Sequence, residues 1–229
     1  MFQIRQCQVE SCRFRFPAPA GDHGLNCPAC GAPTSLITAP FVPGSHPPVE
    51  PVRSRHFSAH PAQQPKNHEQ PTVEALLDNI RSIFNVGAIF RTADGAGLRR
   101  LHLCGITATP NHPKVAKTAL GAERATAWTH HNNALDAAKA LKGQGMQLWA
   151  LERQAGSQSL FAAKPLDAGT PLVLVVGNEL AGIDPQLLGI CDRVLHLPME
   201  GVKESLNVAI AFGIAAYHLR HGKFSPTRP

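Results

Sequence analysis

The chain has 229 residues, 17% of them charged, with a formal net charge of +6 at pH 7 and a pI near 9.2. That length holds one good-sized domain plus an appendage, and the basic balance favours a polyanionic partner. The N-terminus has no cationic patch followed by a long apolar run, and no apolar stretch reaches the roughly 20 residues that cross a bilayer, so a cytoplasmic chain with no membrane partner is expected.

Six cysteines in such a compartment point to metal ligands or free thiols rather than disulfides. Cys7 and Cys12 are separated by four residues, Cys27 and Cys30 by two, and fourteen lie between the pairs. Two such knuckles suit one tetrahedral zinc with four thiolate ligands. A segment this short cannot bury a core of its own, so the metal is expected to fold residues 1–35. His23 is a candidate replacement ligand, though a solvated loop histidine is the plainer reading. Cys104 and Cys191 fall in apolar runs and read as buried small hydrophobes. Residues 40–71 carry eight prolines and four histidines with few large apolar residues, the composition of an extended linker. Arg53 and Arg55 within it could brush a nucleic-acid backbone.

From residue 73 the pattern alternates between strands and helices. Strands are expected at 73–77, 101–104, 147–151, 172–176 and 194–197; the run LVLVV at 172–176 suits a central parallel strand. Val86, Ile89, Phe90 and Ala93 mark a helix ending at Gly95 or Gly97. Residues 105–125 read as a long loop with a short helical piece. A helix at 134–141 is capped by Asn132 or Asn133 and stopped by Gly143, and 185–190 form a short helix. The sum is an α/β domain with a mostly parallel sheet. Residues 206–216 are almost wholly apolar, which predicts a helix buried on every side, against another subunit as well as its own chain. Ser205 and Asn207 stand at its start, either as plain caps or as a polar ligand site.

Three clusters follow predicted strands, where open α/β sheets bind ligands: 79–94, 176–183 and 197–208. Taken singly, Asn85 could be a helix cap, Gly177 a turn and Arg91 a surface charge. Together NVGAIFRTAD (85–94), VVGNELAGI (175–183) and LPMEGVKESLNVAIA (197–211) resemble the three motifs of the SpoU/TrmH family of RNA ribose 2′-O-methyltransferases, in the SPOUT superfamily. CGITATPNHPKVAKTALGAE (104–123) resembles the segment many members carry after the first motif. The resemblance covers residues 73–221, and the cysteine-rich head and the linker lie outside it; the chain thus divides into a zinc-ribbon-like domain at 1–35, a linker at 36–70, a methyltransferase domain at 71–223 and a tail at 224–229.

It implies a SPOUT α/β fold with a C-terminal trefoil knot, against the usual rule that chains do not thread themselves. It further implies a homodimer packed through the last helix. S-adenosylmethionine would be bound largely by backbone around Leu174, Val176, Gly177 and Asn178, and around Leu197, Met199, Ser205 and Leu206. Arg91 matches the family's catalytic arginine; Asn85, Glu179, Ser205 and Asn207 match other site positions. An arginine stays protonated, so clamping a phosphate and stabilising charge suits Arg91 better than proton abstraction. Eight basic residues near the motifs, Arg81, Arg91, Arg99, Arg100, Lys114, Lys117, Arg124 and Lys203, are candidates for phosphate contact. Where many members have glycine this chain has Leu180, which leaves the loop shape after Glu179 open. A zinc-ribbon RNA-binding protein with an inactive methyltransferase domain, and a knotted enzyme acting on a base, are the competing readings.

Overall fold

The computed structural model describes residues 1–22, 24–43, 72–163 and 169–222. His23, most of the linker with Arg53, Arg55 and its histidines, and the tail at 224–229 lie outside the described residues. The head is a three-stranded antiparallel sheet of β1 (Phe2–Cys7), β2 (Arg15–Pro19) and β3 (Thr34–Leu36), in the order β2-β1-β3. It has a small core in which Phe14, Phe16 and Ala18 pack with Cys7 and Cys27. The head continues past residue 35: Ile37 bonds back to Ile4, and Phe41 exchanges backbone bonds of 2.7 Å with Phe2. The backbone at 37 and 41 thus still pairs with β1 before the proline-rich composition takes over.

The body is a seven-stranded sheet in which every pairing is parallel, in the order β6-β5-β4-β9-β7-β10-β8. In chain order these are β4 (Val73–Asp78), β5 (Arg100–Cys104), β6 (Ala127–His131), β7 (Gln147–Leu151), β8 (Gln158–Ser159), β9 (Leu172–Val176) and β10 (Arg193–His196). The helices are α1 (Ile83–Ala96), α2 (Pro113–Ala119), α3 (Ala122–Ala125), α4 (Ala134–Gly143), α5 (Pro185–Leu188) and α6 (Val208–His221). Alternation along β9 serves both faces of the sheet. Leu172, Leu174 and Val176 join one core with α1, α2 and α6, while Val173 and Val175 join the other with α4 and α5.

Two expectations need correction, and a third concerns what a single chain can bury. Residues 127–131, assigned no element from sequence, form edge strand β6; its Trp128, Thr129 and two histidines lack the apolar run of the inner strands. Cys191 is only partly buried, whereas Cys104 is fully buried. Helix α6 is not enclosed by its own chain: Phe212, Ala215, Ala216 and Leu219 are buried, whereas Ile210, Ile214 and Tyr217 are 56%, 37% and 48% exposed. Those three lie at i, i+4 and i+7, one stripe of the helix. Among the described residues, no helix is long and apolar enough to cross a membrane.

Candidate active site

Four loops leave the C-terminal ends of neighbouring parallel strands and converge: 79–82 after β4, 152–157 after β7, 177–184 after β9 and 197–207 after β10. Glu179 ties the first to the third. Its carboxylate accepts the backbone amides of Arg81 at 2.8 Å and Ser82 at 3.0 Å and the side-chain amide of Asn85 at 2.8 Å. Burial pushes this carboxyl up, but the amides of Arg81 and Ser82, its own amide and Asn85 outweigh it and hold the group below the ordinary glutamate value. Asn85 Oδ1 in turn accepts from Asn207 Nδ2 at 3.0 Å, and Asn207 Oδ1 caps α6 by accepting from Ala209 and Ile210. Asn85 is therefore no cap: Ser82 caps α1, and Asn85, three residues on, is turned toward Glu179.

The loop at 177–184 is built by its small and amide residues. A Cβ on Gly177 would lie 2.4 Å from Gly182 C and from Ile183 N, so no larger residue fits without moving backbone. Gly182 turns the chain at φ +70°, a conformation glycine adopts without steric cost. The Asn178 side chain is wholly engaged in the loop: Nδ2 donates to Asn79 O at 2.7 Å, and Oδ1 accepts from Leu180 and Ala181. Leu180 is absent from the positive-φ residues, so leucine is compatible with the loop shape its presence had left open.

The loops after β7, β9 and β10 border a cleft of about 310 Å³. Gly177, Asn178, Leu197, Met199, Ser205 and Leu206 line it, as does Glu179. Leu174 and Val176, expected there, do not: both are buried in the α1/α6 core, and Leu174 pairs with Ala75 on one side and Trp149 on the other. Ser205 is exposed on the rim and does not cap α6. Sequence reasoning missed Glu152, Arg153 and His196. Glu152 and Arg153 directly follow β7 and His196 ends β10; the carboxyl ends of predicted strands could have flagged all three. Burial pushes the Glu152 carboxyl up against the lowering effect of the Ile183 amide, which donates to it at 3.1 Å. His196 Nδ1 lies 2.9 Å from the Ser157 hydroxyl.

Arg91 is not brought into this network. It lies six residues beyond Asn85 on α1, about 9 Å along the axis, with an exposed side chain. A second constellation lies in the head. The Sγ atoms of Cys7, Cys12, Cys27 and Cys30 all fall within 4.8 Å of one another, with Cys7–Cys30 at 3.5 Å and Cys12–Cys27 at 3.8 Å. Tetrahedral Zn–S bonds of about 2.3 Å put ligand sulfurs about 3.8 Å apart, and disulfide sulfurs stand at about 2.05 Å, so the geometry fits a metal and not bridges.

The comparisons agree with this architecture. The chain is similar to the tRNA (guanosine(18)-2′-O)-methyltransferase of Escherichia coli K12, with 30% identity over 148 residues, 65% of this chain and 62% of the relative. It is 34% identical over 147 residues to the 23S rRNA (guanosine(2553)-2′-O)-methyltransferase of Bacillus subtilis 168, covering 63% of this chain and 56% of that one. The chain thus spans less than two thirds of the length of these curated relatives. An AdoMet-bound rRNA methyltransferase from Sinorhizobium meliloti superposes with a TM-score of 0.62 at 30% identity, over 69% of this chain and 59% of that one. A TrmH-family protein described as a putative RNA methyltransferase, from Porphyromonas gingivalis, gives 0.60 at 32% identity, over 67% and 61%. The model of the SpoU rRNA methylase family matches residues 72–217, which include all three motif segments and every loop of the cleft, and the chain belongs to that family.

Proposed function

We propose that this chain transfers a methyl group from S-adenosylmethionine to a ribose 2′-oxygen of tRNA or rRNA, as a cytoplasmic homodimer carrying one structural zinc per chain. The observation that carries the reading is the hydrogen-bonded line Glu179–Asn85–Asn207, which joins the three motif segments and reaches the cleft at Glu179. The similarity to 2′-O-methyltransferases and to an AdoMet-bound structure supports the same chemistry. The implied knot belongs to this reading, since the loops at 177–184 and 197–207 that would thread past each other both line the cleft.

S-adenosylmethionine, when bound, supplies the methyl group; the chain supplies position and charge. Glycine and amide residues fix the 177–184 loop, so that wall of the cleft is already shaped before a ligand arrives. Glu179 is a positioning residue and not the base, because its carboxylate already accepts three hydrogen bonds. Arg91 clamps the phosphate beside the target ribose through its guanidinium. Its distance from the Asn85–Asn207 pair along α1, together with the exposed stripe on α6, supports a site completed by Arg91 of a second copy. Exposed Arg81, Lys114, Lys117, Arg124 and Lys203 remain available for RNA phosphates, whereas Arg100 donates to Thr129 and Arg99 lies 3.7 Å from Glu74.

Purified protein incubated with methyl-labelled S-adenosylmethionine and unmodified tRNA or rRNA should yield a ribose-methylated nucleotide by mass spectrometry. Label on a base, or no label on any of these RNAs, overturns the assignment. Elemental analysis should find about one zinc per chain, lost on Cys7→Ser or Cys30→Ser; metal-free native protein would remove the zinc from the reading.

A further inference from the structure

The head is bonded into the cofactor loop. Arg15 on β2 is 3% exposed, and its guanidinium forks onto Asp184: Nε donates to Oδ2 at 2.5 Å and Nη2 to Oδ1 at 3.1 Å. Nη2 also donates to Gln186 Oε1 at 3.0 Å. Asp184 closes the loop that Gly177 opens. Its backbone amide donates to Asp78 at 2.9 Å, at the end of central strand β4, and the amide before it, that of Ile183, donates to Glu152 in the cleft. The Cys12 knuckle is tied to the body as well: Asn132 donates to Cys12 O at 2.9 Å and accepts the Arg15 amide at 3.0 Å, and Arg13 pairs with Asp136 at 2.9 Å. Pro43, at the far end of the head, lines the cleft.

A module tethered only to capture RNA needs no buried ion pair with its neighbour. Taking both charges out of water is costly unless the pair is well formed, and this one is bidentate with a further acceptor. The pair joins residues 169 positions apart at the point where the cofactor loop meets α5. We propose that Arg15 is a positioning residue for the cofactor cleft: by gripping Asp184 it fixes the end of the 177–184 loop, so that docking of the head raises the affinity for S-adenosylmethionine. This rests on the reading that the cleft takes that cofactor.

The test is calorimetric titration of S-adenosylmethionine into full-length variants, at a temperature where melting curves show each to be folded. Arg15→Met breaks the fork but leaves Asp184 buried and unpaired. Arg15→Met/Asp184→Asn removes both charges, and asparagine still caps α5, so this variant remains folded where the single one fails. Arg13→Met breaks the outer bridge, whose arginine side chain is 43% exposed and whose partner belongs to α4 and not to the 177–184 loop. Both Arg15 variants should bind at least about fivefold more weakly than wild type, and Arg13→Met within about twofold of it. A folded double variant with wild-type affinity overturns the proposal, whatever the single variant does. An equal loss in Arg13→Met also overturns it, by assigning the effect to docking at large. Wild-type protein that fails to bind sinks the cofactor reading itself, and this inference with it.

Discussion

Glu179 shows what a motif residue is for when its partners are known. Its carboxylate holds the start of α1 by two backbone amides and orients Asn85 by a third bond. Glutamine would present an NH₂ to one of those donors, so Glu179→Gln should destabilise the protein at pH 7 by about 1 kcal/mol at this half-exposed site. The sign with pH follows from the lowered folded-state pKa. The carboxylate's contribution is present above the unfolded value of about 4.3 and is lost as pH falls through the lower folded value. Urea denaturation should therefore show the two proteins converging below about pH 4; a gap that widens in acid would contradict this account. Glu179, Asn85 and Asn207 were all legible as motif residues. Their bonds were not, because the partners of Glu179 lie 94 to 98 residues away and nothing local encodes that meeting.

Among the elements, strands and helices with strong apolar patterns were legible nearly to the residue: β7 and β9 fall at the expected positions, and α1 ends at Gly97. The polar edge strand β6 was invisible, since among the described residues it pairs on one side alone, with β5, and its side chains need not be apolar. The 177–184 loop was legible as a motif but not as a packing problem, which the structure reduces to the missing Cβ of Gly177. That gives an element-scale prediction. Gly177→Ala forces one backbone stretch off another and should cost about 1–3 kcal/mol by thermal or chemical denaturation. It should also weaken S-adenosylmethionine binding about tenfold or more, because the displaced segment lines the cleft. Unchanged affinity would show that the cleft tolerates a shifted loop and that the cofactor sits elsewhere.

At the scale of the whole molecule, the four-cysteine spacing announced a head in which four thiols converge, but its ion pairs with the body join residues far apart in sequence and left no local trace. The sequence expectation that α6 is buried on every side holds only if a second copy covers Ile210, Ile214 and Tyr217. If that copy also brings its Arg91 to the cleft, each site mixes residues of two chains, and complementation can detect it. Arg91→Ala removes the guanidinium. For the other lesion Asn207→Ser is preferable to alanine, since the hydroxyl still caps α6 while losing the amide that reaches Asn85. Each variant alone should be inactive and dimeric by light scattering. Co-expressed, they pair at random, so about half the dimers are mixed, and each mixed dimer has one site with both lesions and one with neither; about a quarter of wild-type activity should return. A site built within one chain would leave a lesion in every site, and no activity would return from a verified mixed dimer. That result would confine Arg91 to its own subunit and force a movement of α1 or of the RNA to bring a phosphate to it, while leaving the Glu179–Asn85–Asn207 line where it stands.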